Sequence, residues 1–123
     1  MVALVGDVAS AKGTRRALLV GVWAYERAAS EGAWKNLGSR ADVDAIRGVL
    51  IGHLGFAPSD VVALKTPAET THRAIIDAFR KTLIDGAGPD DEIFFHYSGH
   101  GSQVPDDREV DGLAETLVPS DYV

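Results

Sequence analysis

His100 stands between two glycines in Ser98-Gly99-His100-Gly101-Ser102, directly after the apolar run Ile93-Phe94-Phe95 and His96-Tyr97. Imidazole is the side chain that most readily gives and takes a proton near neutral pH. Glycine on either side lets a substrate approach the main chain closely and leaves N–H groups able to point at it. His100 is therefore a candidate general acid or base, and Gly101 a candidate oxyanion donor. The competing reading is a histidine in a surface turn with no chemical task. Serine is a poor nucleophile candidate here. Ser98 and Ser102 lie two residues from His100, a spacing that seldom places hydroxyl and imidazole for mutual attack, and no Gly-x-Ser-x-Gly elbow occurs. Cysteine is absent from all 123 residues, so this sequence holds no thiol nucleophile, no thiolate metal site and no disulfide. His53, His72 and His96 show no zinc-ligand spacing with the acidic residues. His53 and His72 read as surface residues of helices, and His96 as a packed or hydrogen-bonded core histidine.

Such a histidine needs a strand to deliver it. Glu92 to Tyr97 is rich in aromatic and β-branched residues and predicts a strand ending at the glycine turn. Ala17-Leu18-Leu19-Val20-Gly21-Val22 and Val61-Val62-Ala63-Leu64 are short continuous apolar runs suited to buried parallel strands. Between them, Val43, Ile46, Val49, Leu50 and Leu54 recur at helical spacing from Ser39 onward, with Asp42 and Asp44 near the start, where the helix dipole favours acids. A second helix is predicted after Thr70 or Thr71, with Ile75, Ile76, Phe79, Leu83 and Ile84 along one face, closed by Gly86-Ala87-Gly88-Pro89. Residues 23–38 read as a loop bracketed by Trp23 and Trp34, more simply packing residues than cleft walls. The order strand–helix–strand–helix–strand predicts a mainly parallel, three-layer α/β sheet, which places His100 just beyond the carboxyl end of the third strand, where open α/β sheets collect their reactive groups.

Composition narrows the classes further. Hydrophobic residues make up 46% and the formal net charge is −6, which fits one small globular domain and argues against nucleic-acid and anionic-membrane partners. No stretch of 18 apolar residues is present, and the N-terminus lacks the basic start of a secretory signal. A cysteine-free, leaderless sequence is expected in the cytoplasm.

Three segments in this order resemble the large-subunit half of a metacaspase-type, caspase-fold cysteine peptidase. They are Leu37-Gly38-Ser39-Arg40-Ala41-Asp42-Val43, Tyr97-Ser98-Gly99-His100-Gly101-Ser102-Gln103, and Asp111-Gly112 through Glu115-Thr116-Leu117-Val118-Pro119-Ser120-Asp121-Tyr122. The resemblance implies a caspase-like domain over residues 16–123, preceded by an N-terminal extension of residues 1–15, with only the first half of the sheet present. It implies an endopeptidase whose Cys–His dyad uses His100, with Gly101 supplying an oxyanion N–H. Ser39, Asp42 and Ser98 match positions lining the pocket for the residue before the cut. Asp42 there favours Arg or Lys, by charge pairing. Animal caspases hold aspartate with an arginine four positions before the equivalent of Asp42, where this sequence has Gly38.

The missing cysteine is the main departure. This chain alone is expected to be inactive, and to need a cysteine-bearing C-terminal half, as a second chain or a further segment, beside a peptide or protein substrate. The bare apolar edge that the third strand would otherwise expose points the same way. The alternative is a non-catalytic caspase-fold regulatory or scaffold module. No cofactor is required by the sequence. Calcium activation, common in the family, is weakened because Ala114 stands where one ligating aspartate would be, and Asp107-x-Glu109-x-Asp111-Gly112 fails as an EF-hand at Val118. The acidic stretch reads as a solvated flap or a processing site at Arg108.

Overall fold

A computed structural model describes residues 13–26 and 35–122. The elements within them are β1 (Arg15–Gly21), α1 (Ser39–Gly52), β2 (Val61–Leu64), α2 (His72–Phe79), β3 (Glu92–Ser98), β4 (Gly101–Pro105) and β5 (Leu113–Leu117). β1 begins at Arg15, one residue inside the expected extension; residues 1–12 of that extension, and Trp34, lie outside the described residues. None of the helices described is long and apolar enough to cross a membrane.

β1 runs between β2 and β3 in the order β2-β1-β3, and all three are parallel. Its central residues, Ala17 to Val20, are fully buried because both faces are covered. Ala17 and Leu19 meet Val43, Leu50, Phe56 and Val61 beneath α1. Leu18 and Val20 meet Val22, Leu83 and Val118 on the α2 side. Each such side chain contributes about 1.5–3 kcal/mol by leaving water. This is the expected three-layer arrangement, with the neighbours of β1 set by right-handed parallel crossovers.

The helices follow the predicted stripes, though more narrowly. Val43 and Leu50 of α1 are buried, while Val49 and Leu54 are exposed. Leu54 lies past the helix end, where Gly55 reverses the chain at φ 73° and the Arg15 guanidinium donates to the Leu54 carbonyl. Of the two candidate caps, Thr71 closes α2: its Oγ1 accepts from Ala74 N–H at 3.2 Å. Asp121 Oδ1 accepts from His72 N–H at 2.8 Å and ties the last described residues to the same helix end. A π-helical turn, Arg80–Ile84, continues α2 and leaves Leu83 buried and Ile84 exposed.

Two expectations need correction. A central third strand would bury Ile93 to Phe95 on both faces, yet Ile93 is 57%, Phe94 36% and Phe95 38% exposed. The reason is position: β3 pairs only with β1, so it forms the edge of the described sheet, and β1 is the central strand. Phe95 keeps one aromatic neighbour, Phe79, edge-to-face at 5.3 Å. The acidic stretch is also less of a flap than expected. β4 and β5 pair antiparallel from Gly101↔Leu117 to Pro105↔Leu113, leaving only residues 106–112 as a turn. Arg108 is bonded there to Asp106 through Nε at 2.9 Å and Nη2 at 2.6 Å.

Register at the lower end of the sheet is held by Asp91. It accepts from Gly88 N–H at 3.0 Å, Thr14 N–H at 2.8 Å and Arg16 Nε at 3.0 Å. These three donors, Gly88 first, hold its carboxyl down from the usual 3.8 to about 2. The stabilisation is complete above the unfolded-state value and is lost as pH falls toward about 2. Asp91→Asn should therefore flatten the acid-unfolding curve between those limits, as followed by circular dichroism; parallel curves for variant and wild type would refute this. At the upper end, a Cβ on Gly21 would sit 2.7 Å from the Ser39 carbonyl oxygen and 2.8 Å from Val43 Cγ2. Gly21→Ala is expected to cost about 1–3 kcal/mol in denaturant melts, by forcing α1 away from β1.

Candidate active site

The carboxyl ends of β1 and β3 meet in register, Gly21 opposite Ser98, and Val22 N–H donates to the Ser98 carbonyl at 2.9 Å. The bare Cα of Gly21 allows the first turn of α1 to stand directly against this edge. From that turn Asp42 Oδ2 accepts the Ser98 hydroxyl at 2.5 Å. The helix N-terminus favours a carboxylate at that place. Two expected site residues are thus in contact. Ser39 differs: at 2% exposed it lies beneath this edge, its main chain packed on Gly21. Beside the pair, the Arg40 guanidinium stacks on the Trp23 ring at 4.1 Å, and Trp23 Nε1 donates to the Lys65 carbonyl at 2.8 Å. Trp23 therefore packs at the mouth, with its indole fixed from both sides.

His100 follows Ser98 by one bend residue, and its main chain is held from two sides. His100 N–H donates to the Tyr25 hydroxyl oxygen at 2.8 Å. The Tyr97 hydroxyl lies 2.8 Å from the His100 carbonyl and 2.9 Å from that of Val118, and Val118 N–H donates to the same His100 carbonyl at 3.0 Å. Burial, and then the neighbouring Tyr25, push the Tyr97 phenol well above its ordinary value, so it remains a donor. The two hydroxyls explain Gly99. A Cβ there would lie 2.5 Å from the Tyr97 hydroxyl and 3.0 Å from that of Tyr25. Gly101 is different, since a Cβ would meet nothing nearer than the Thr116 carbonyl at 3.5 Å. Packing does not demand glycine at 101; open space in front of its main chain is what a close-approaching substrate needs.

The imidazole lies against the Tyr25 ring, centroids 5.0 Å apart, with Nε2 2.9 Å from the Lys35 carbonyl oxygen. A peptide carbonyl can only accept, so Nε2 must carry the proton and the neutral ring has its lone pair on Nδ1. Ser102 sits on β4 opposite Thr116, directed by the hairpin.

The remaining histidines divide as follows. His53 caps the end of α1 and His72 opens α2, both exposed. His96 lies on β3 opposite Leu19, and its Nε2 is buried without a hydrogen-bond partner among the described residues, packed rather than hydrogen-bonded at that atom. As for calcium, the described residues include no group of three or more His, Cys, Asp or Glu side chains placed to hold a metal ion. The acidic turn is instead organised around itself: Asp106 binds Arg108, which lowers its carboxyl below the usual range, and Asp111 accepts from Leu113 N–H at 3.1 Å. Ala114 lies on β5, opposite Val104.

Sequence reasoning missed Tyr25, the role of Tyr97 and the Lys35 carbonyl. Tyr97 was in the histidine motif but read only as strand. Tyr25 and Lys35 belong to an aperiodic loop, and a main-chain carbonyl has no sequence signal at all.

The family model described as "Metacaspase, peptidase C14 domain" matches residues 15–123. The chain is 39% identical over 87 residues to Metacaspase-1 of Cryptococcus neoformans var. neoformans serotype D (strain JEC21 / ATCC MYA-565), which covers 66% of the chain and 19% of that protein. It is 36% identical over 118 residues to Metacaspase-1 of Schizosaccharomyces pombe, covering 90% of the chain and 26% of that relative. It is also 36% identical over 121 residues to Metacaspase III c of Phaeodactylum tricornutum, covering 92% of the chain and 34% of that protein. The chain thus spans a third or less of the length of these relatives. Its parallel sheet with a helix on either face is the α/β arrangement of a partial caspase-like domain. Matched from the first residue of β1 to the last residue of the chain, it belongs to the metacaspase family, peptidase C14, a family of cysteine peptidases.

Proposed function

We propose that this chain is the histidine-bearing part of a cysteine endopeptidase. The observation that carries the reading is the place of the imidazole, at the carboxyl edge of a parallel sheet with Nε2 2.9 Å from the Lys35 carbonyl oxygen; in this reading Nδ1 exchanges the proton. The chain has no cysteine, and β3 has an uncovered apolar edge next to His100. The partner in this reading is a cysteine-bearing segment that pairs along that edge and brings its thiol to Nδ1. The thiolate then attacks the scissile carbonyl while the Gly101 N–H stabilises the oxyanion. The C–N bond breaks as His100 gives its proton to the leaving amine, and water, deprotonated by His100, hydrolyses the thioester.

In this reading Asp42, whose Oδ2 accepts the Ser98 hydroxyl, receives a cationic side chain, and Arg or Lys precedes the cut. Arg40 is stacked on Trp23 and does not neutralise Asp42 by direct pairing among the described contacts. No metal enters any step of this scheme. The second reading is a non-catalytic caspase-fold regulatory or scaffold module, favoured by the absence of cysteine.

Three outcomes separate these. With the cysteine-bearing half supplied, cleavage of Arg peptides should appear, and His100→Ala should remove it by about 10²–10⁴-fold. Failure of any cysteine-bearing half to confer cleavage would leave the module reading. Asp42→Ala should lower kcat/KM for Arg peptides roughly 100-fold, about 2.7 kcal/mol, and leave uncharged substrates little changed; an enzyme that cuts after Asp and ignores Arg and Lys would overturn the pocket assignment. A chelator should leave the rate within about twofold, whereas loss restored by added calcium would mean that the acidic turn rearranges around the ion.

A further inference from the structure

The loop that follows β1 touches His100 at both of its described ends. Near its start, Tyr25 receives the His100 main-chain N–H at 2.8 Å; near its finish, the Lys35 carbonyl receives Nε2 at 2.9 Å. Tyr25 is only 5% exposed, and its ring also packs on the imidazole. We propose that Tyr25 is a positioning residue, whose hydroxyl sets the main-chain position of His100 and thereby the direction in which Nδ1 faces the nucleophile. This rests on the reading of His100 as the dyad histidine.

The argument is geometric. His100 lies between a bend at Gly99 and the start of β4, so the β3 ladder ends at Ser98 and the hairpin ladder begins at Gly101. The Tyr97 hydroxyl and Val118 N–H fix its carbonyl side, but neither fixes its N–H side. That side is held by Tyr25. Rotation of the peptide between Gly99 and His100 would swing the imidazole about the Lys35 contact and carry Nδ1 off line. A displacement of the order of 1 Å in a reacting group can lower a rate by about 100-fold without weakening substrate binding. Tyr25 does not touch the Asp42–Ser98 pair through any described contact, so substrate affinity should be independent of it.

Tyr25→Phe tests this, because it keeps the ring that packs in the core and removes only the oxygen. In the enzyme completed by its cysteine-bearing half, the variant should lose kcat about tenfold or more while KM stays within about twofold and the melting temperature stays near wild type. Unchanged kcat would overturn the proposal. So would a variant that melts low and loses kcat in proportion to its folded fraction, since that would make the hydroxyl merely structural. Tyr25→Gln, which retains an oxygen able to accept from a neighbouring N–H, should recover part of the lost kcat, and a Gln variant no better than Tyr25→Leu would count against the hydrogen bond. His100→Ala in the same assay separates the two claims. If it abolishes turnover while Tyr25→Phe does not alter it, positioning by Tyr25 alone is wrong. If it leaves turnover intact, the dyad assignment falls and the proposal with it.

Discussion

The parallel ladder between β1 and β3 is the constraint on which the site depends. Side chains alternate between faces along a strand, so a slip of one residue would send every β3 side chain to the opposite layer. Ser98 would turn away from α1 and lose Asp42, while Tyr97 would leave the layer in which it meets Val118. Specific contacts mark both ends of the ladder. Asp91 gathers Thr14, Arg16 and Gly88 below, and Val22 closes on Ser98 above. Between these clamps the strands contribute burial, which is strong but indifferent to register among similar apolar residues.

β3 has two characters because of its place in the sheet. Toward β1 it is an ordinary parallel strand, paired from Arg15↔Glu92 to Gly21↔Ser98. On its other side it presents main-chain groups and the large side chains Ile93, Phe94 and Phe95, the arrangement that native sheets cover or blunt. A groove of about 260 Å³ lined by Leu50, Leu54, Phe56, Ile93 and Phe94 continues this apolar surface toward α1. The orphaned Nε2 of His96 lies on the same strand. Among the described residues, a buried nitrogen without a partner and an apolar edge without a neighbour lie on the same strand. If β3 is completed by the segment that bears the nucleophile, folding of that layer and assembly of the site are one event.

Much of this was legible in the residues because it depends on local pattern. The runs at 17–22 and 61–64, the helix opening at Ser39 and the strand from Glu92 are set by apolar periodicity and by capping, and the structure follows them closely. Thr71 and Asp42 act through helix ends, which sequence shows directly. What was not legible depends on long-range partners. Ile93 to Phe95 look like core to any reading of hydrophobicity; only the strand order reveals that one neighbour is lacking. The β4–β5 hairpin was hidden because Gly99 and Gly101 read as the end of order, whereas an antiparallel partner sixteen residues downstream restores it at once. Tyr25 acts on His100 across 75 positions of sequence, through a loop without periodicity.

The Lys35 carbonyl has a consequence of a different kind. The group that selects the His100 tautomer belongs to the peptide backbone, which every residue type supplies alike. Substitution at position 35 can alter charge and bulk at the surface and still leave the acceptor oxygen where it is. Insertions and deletions between β1 and α1 would disturb the imidazole more than most point changes there, and diversity of side chains at this position is compatible with an unvarying proton on Nε2.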